Sequence, residues 1–167
     1  MRRRPVVRLS VIFTLVAALG ASTLLASPTD PSFLTVPAMA GPASRSLLVN
    51  GAKGGQLVLG RYQVDVPPRA FAGMATITLC VPDPTRMRCE LSISPASANH
   101  FVFPVTLVAN CTGSRSPMLE VQTVTLDPST GIWNVVPGTI ANSYNLTLYT
   151  PLWHFSSYGQ VGNRAGW

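Results

Sequence analysis

The chain has 167 residues, of which 47% are hydrophobic and 11% are charged, and its formal net charge is +6. Residues 1–40 contain four arginines and one aspartate, so the rest of the chain carries eight basic and five acidic residues, a net charge of +3. These basic residues are scattered singly, which argues against the basic surface that binds nucleic acid. The remaining length suffices for one domain with its own core.

The N-terminus has the layout of a secretion signal. Arg2, Arg3, Arg4 and Arg8 form a positive region, and residues 9–25 are apolar or small throughout. A signal peptide has these two parts in this order. The alternative is a transmembrane anchor, but the stretch is short for a span and no positive cluster follows it. We therefore expect a protein that is secreted or held in the cell envelope, with membrane contact only during translocation.

The best match to a signal-cleavage pattern of small residues is Ala38-Met39-Ala40, immediately before Gly41. This match lies far from the end of the apolar run. An earlier cut, near Ser22 or Ala26, is the alternative.

Beyond this signal, the sequence predicts short strands separated by turns that contain Gly and Pro. Apolar and polar residues alternate with a period of two, which is typical of strands that bury one face. We expect one all-β domain, an antiparallel β-sandwich of seven to nine short strands at residues 54–167. We assign residues 1–40 to the signal peptide and lead-in, and residues 41–53 to a flexible segment. The predicted strands lie at residues 56–59, 62–66, 75–81, 89–93, 103–111, 120–126, 132–136 and 146–161.

Three cysteines in an exported chain predict one disulfide and one free thiol. Cys89 and Cys111 are each in phase with apolar residues, and they would face each other in a hairpin centred near Asn99 and His100. Cys80 is in phase with polar residues. We therefore predict a Cys89–Cys111 bridge, with Cys80–Cys89 as the alternative. The third interpretation is that all three are reduced and fill the core.

No pattern of residues predicts a metal, cofactor or nucleotide site. The histidines, His100 and His154, are far apart in sequence, and the cysteines lack paired spacing. No Gly-rich loop precedes a helix, and the carboxylates form no evident acid–base pair. We expect no cofactor, no metal and no small-molecule turnover.

Four groups of residues, taken in order, carry a resemblance to a known family. They are Gly54-Gly55-Gln56-Leu57, then Val64 to Phe71, then Phe103-Pro104-Val105-Thr106-Leu107, and finally the pair Asp127-x-x-x-Gly131-x-Trp133 and His154-Phe155-Ser156-x-Tyr158. This order resembles the ZU-five domain, the β-sandwich of ankyrins, netrin receptors and zonula occludens scaffold proteins, and its bacterial exported relatives. Arg69 stands where the family pattern has Gly. The resemblance implies binding and scaffolding, with a protein or cell-envelope partner.

His154, Phe155 and Ser156 have two interpretations. Some members of the family resemble autoproteolytic domains that cut between Phe and Ser of such a triplet. There, a strained peptide bond lets the Ser hydroxyl attack the preceding carbonyl while His accepts the proton, and the resulting ester is hydrolysed. The other interpretation gives the three residues packing and turn roles. We expect a non-catalytic interaction module, with cleavage of the Phe155–Ser156 bond as the alternative.

Overall fold

The computed structural model describes residues 31–38 and 41–162, and this part of the chain contains eleven strands and two single turns of 3-10 helix. The strands are β1 (Ala43–Asn50), β2 (Gly55–Leu59), β3 (Tyr62–Val66), β4 (Met74–Val81), β5 (Arg88–Ser94), β6 (Val105–Asn110), β7 (Val121–Leu126), β8 (Trp133–Val135), β9 (Ile140–Asn142), β10 (Thr147–Leu152) and β11 (Ser157–Gly162).

Two antiparallel sheets form a β-sandwich, as the alternation of the sequence predicts. The six-stranded sheet has the order β1-β4-β5-β11-β7-β8, and the five-stranded sheet has the order β2-β3-β6-β10-β9. Alternate side chains of the inner strands point inward, so the apolar residues of both sheets meet in one core. Its fully buried members include Val64, Ile77, Leu79, Leu107 and Leu148.

Two polar contacts cross the interior between the sheets. The hydroxyl of Tyr62 in β3 donates to Oε1 of Gln160 in β11 at 3.0 Å. The hydroxyls of Thr123 in β7 and Thr150 in β10 lie 2.7 Å apart. Because buried polar groups need partners, these two pairs constrain how the sheets are placed on one another.

The eight predicted strand regions are all found, but the count of seven to nine is too low. The last predicted region, residues 146–161, contains two strands, β10 and β11, and the structure adds β9 and, in the segment expected to be flexible, β1. The β1 strand pairs along its whole length with β4, from Ala43 opposite Val81 to Asn50 opposite Met74. The domain therefore begins before residue 54.

The predicted Cys89–Cys111 bridge is wrong, because the hairpin on which it depended does not form. Strand β5, with Cys89, belongs to the six-stranded sheet, whereas β6, which ends just before Cys111, belongs to the other sheet. The alternative bridge is also absent, since Cys80 pairs with Glu90 on the outer face while Cys89 points into the core. All three cysteines are free thiols.

The predicted signal peptide lies largely outside the described residues, which begin at residue 31. Within the described residues, no helix is long and apolar enough to cross a membrane.

Candidate functional site

The triplet His154-Phe155-Ser156 lies in the connection between β10 and β11, where the chain crosses from the five-stranded to the six-stranded sheet. Phe155 is buried and packs edge-on against Phe101, with 4.8 Å between ring centroids. Phe101 in turn lies 6.3 Å from Phe71. An aromatic cluster thus closes this end of the sandwich and fixes the crossover.

Asn99 holds the backbone of Phe155 through both ends of its side-chain amide. The Phe155 N–H donates to Asn99 Oδ1 at 2.6 Å, and Asn99 Nδ2 donates to the Phe155 carbonyl at 3.1 Å. Such a paired contact fixes the orientation of the peptide plane that precedes Ser156. No sequence pattern predicts this role, because Asn99 lies in a polar loop more than fifty positions earlier.

The structure brings His154 to the Phe155 carbonyl rather than to the Ser156 hydroxyl. The ring Nδ1 of His154 lies 3.4 Å from the Phe155 carbonyl oxygen, and the side chain is exposed. The Ser156 hydroxyl instead donates to the Leu126 carbonyl at 2.9 Å. Tyr158 donates its hydroxyl to the His154 carbonyl at 2.5 Å, and burial raises the pKa of that phenol well above its ordinary value. No described contact therefore pairs the hydroxyl with a base.

An exposed apolar surface lies beside this crossover, and we call it the apolar edge surface. The spacing of two places Tyr149, Pro151 and Trp153 on the same outer side of the sheet. Tyr149 pairs with Ile140 of β9, whose side chain is 67% exposed, and Trp153 is 57% exposed. Val135 of β8, Pro151 and Trp153 line one shallow groove of about 140 Å³. The surface thus includes residues of β8, an edge strand of the six-stranded sheet, and of β9, an edge strand of the five-stranded sheet.

The stretch of chain that forms this surface contains no residue with a formal charge. Neither Asp, Glu, Lys nor Arg occurs between Asp127 and Arg164. Contiguous apolar exposure of this kind marks sites of interaction, particularly where Trp and Tyr supply it. Alternation predicted the strand β10, but a sequence pattern alone did not show that β8, β9 and β10 place their exposed residues together.

No protein-family model matches the chain, and no curated protein matches it.

Proposed function

We propose that the protein is an exported, non-catalytic β-sandwich that binds a protein partner of the cell envelope through the apolar edge surface. One observation carries the proposal: Val135, Ile140 and Trp153 are each more than half exposed, and they lie in a stretch of sequence, residues 128–163, that contains no Asp, Glu, Lys or Arg. The partner should therefore present an apolar patch to these three side chains, because none of them carries a charge. Export is inferred from the positive region and apolar run at the N-terminus.

The ZU-five-like character of the domain is part of the proposal. The order of the sequence motifs supports it, and one backbone feature supports it further. Arg69 has a φ of +66°, a conformation that favours glycine, and it stands where the family pattern has Gly. Binding and scaffolding are what such a domain would perform.

Site-specific photo-crosslinking in intact source cells tests the binding surface. A photoreactive residue at Val135, beside Trp153, should yield a protein adduct of defined mass. The same residue at Ser92, exposed on β5 and three strands away from β8 in the same sheet, is the matched control and should yield none. When Trp153→Ala is combined with the photoreactive residue at Val135, the affinity for the partner should fall about 30-fold. A buried Trp anchor contributes on the order of 2 kcal/mol to an interface. Equal labelling at both positions, or none at Val135, would refute the proposal.

A second candidate function, self-cleavage between Phe155 and Ser156, is favoured by one observation. Asn99 Nδ2 and His154 Nδ1 both lie near the Phe155 carbonyl oxygen, at 3.1 and 3.4 Å. Donors at this position would stabilise the charge that develops on the oxygen when the Ser156 hydroxyl attacks. For the attack, that hydroxyl must first leave the Leu126 carbonyl.

Intact-mass measurement of the denatured chain tests this second function. Cleavage would yield a fragment starting at Ser156, and Ser156→Ala should abolish it because the attacking hydroxyl is lost. His154→Ala should slow cleavage. Asn99→Asp, which keeps the acceptor but removes the donor, should also slow it. The fragments should stay together until denaturation, since β11 is paired on both sides by β5 and β7. A single uncut mass after prolonged incubation excludes the reaction.

A further inference from the structure

The residues just before the predicted cleavage site form part of the folded sandwich. Residues 31–37, which we call the N-terminal strap, lie where β5 and β11 diverge. Phe33 forms an antiparallel bridge with Val161 of β11, and Thr35 forms one with Arg86, just before β5. The strap thus extends the six-stranded sheet between two of its strands.

Three backbone hydrogen bonds hold the strap in this position. The Leu34 N–H donates to the Gln160 carbonyl, and the Met87 N–H donates to the Leu34 carbonyl, each at 2.8 Å. The Val36 N–H donates to the Thr85 carbonyl at 2.9 Å. Because Met87 and Gln160 are fully buried, removal of the strap would leave backbone groups of both without these partners.

The side chains of the strap are core residues. Phe33, Leu34 and Val36 are each at most 6% exposed, and the last two belong to the main core cluster. The Phe33 ring packs edge-on against Trp133, with 5.0 Å between centroids. It also occupies the space beside Gly159, where any side chain would overlap it.

The far end of the strap is fixed by Arg61. Its guanidinium donates to the Pro37 carbonyl at 2.9 Å and, through a second nitrogen, to the Thr112 carbonyl at 2.6 Å. Pro37 also packs on Gly113, where an added Cβ would lie 2.8 Å from the proline ring. The strap is therefore attached at both ends, and three of its side chains, Phe33, Leu34 and Val36, are buried.

We propose that the mature protein keeps the strap, so that the leader is removed on the N-terminal side of Pro31 and Ala40–Gly41 is not the processing site. The inference rests on the proposed export. The cut is a hydrolysis in which water adds across the peptide bond, giving the leader a new carboxylate and the mature chain a new amino terminus. Small residues near Ser22 and Ala26, close to the end of the apolar run, supply the sites. A cut after Ala40 would remove three core side chains.

Expression of the full-length chain in a secreting host tests the position of the cut. Mass spectrometry of the exported protein should give an N-terminus between residues 23 and 31. The double variant Ala38→Leu, Ala40→Leu blocks the later pattern with bulky residues and should be processed as efficiently as the wild type. An exported protein that begins at Gly41, or accumulation of the precursor in the double variant, overturns the inference. A cytosolic chain with its N-terminus intact would refute export itself, and the processing inference with it.

Thermal unfolding of the exported protein tests the structural role of the strap separately. Phe33→Ala should lower the Tm by about 10 °C or prevent folding, because it empties the space beside Gly159 and Trp133. Thr35→Ala, on an exposed strap position, is the matched control and should change the Tm by at most about 2 °C. Phe33→Leu should give an intermediate loss, which keeps the test informative if Phe33→Ala does not fold. A Phe33→Ala protein with wild-type Tm contradicts the inference.

Discussion

Arg69 has a φ of +66° in the turn after β3, and its N–H donates to the Gly51 carbonyl at 2.6 Å. A residue with a Cβ is strained there, whereas glycine is not. The side chain is exposed, so its identity matters little to packing. The backbone conformation, rather than side-chain packing, should therefore determine how a substitution here changes the free energy of unfolding. A pair of substitutions can measure this.

We expect Arg69→Gly to stabilise the protein by about 0.5–1 kcal/mol, the steric cost of a left-handed residue less the extra entropy of glycine in the unfolded chain. Arg69→Ala is the control, because it removes the same side chain but retains the Cβ. It should show no gain. Urea unfolding at neutral pH measures both values. Equal stabilisation by the two variants would mean that the side chain, and not the backbone conformation, is responsible.

Strands with one buried face could be predicted from the sequence, because apolar residues alternate with polar residues along them. Strand β3 is the clearest case: Tyr62, Val64 and Val66 are buried, and the residues between them are partly exposed. Strand β1 could not be predicted this way. It lies at the edge of its sheet, where Val49 is its only buried residue, and its backbone ladder with β4 carries no sequence signature.

The sequence also does not show which strands belong to the same sheet. Neighbouring strands often pair, so β5 and β6 were expected to form a hairpin. In the structure, the chain between them crosses to the other sheet, and no local pattern encodes that crossing. The same limit applies to the site: the triplet at residues 154–156 was visible in the sequence, but Asn99 and the apolar edge surface are brought to it only by the tertiary fold.

The whole sandwich buries thiol and phenol groups that ionise at high pH. Burial raises the pKa of Cys111 to about 11 from an ordinary 9, and burial also raises the pKa of Cys89, Tyr62 and Tyr158. In each case the folded state favours the neutral form, because a charge in the core would lose its hydration. Because all four pKa values are raised, high pH lowers the stability of the folded protein.

We therefore expect stability to fall as the pH rises above about 9. A raised pKa in the folded state means that the unfolded chain loses its proton first, so Cys111 alone should account for about 2–3 kcal/mol lost between pH 9 and 11. Urea unfolding at several pH values, with a reducing agent present, measures the slope. Cys111→Ala should make the slope shallower without abolishing it, because Cys89 is still buried. Val105→Ala, which also shortens a fully buried side chain but removes no ionisable group, should lower stability at every pH and keep the wild-type slope. An unchanged slope in Cys111→Ala would show that the thiol does not carry this loss.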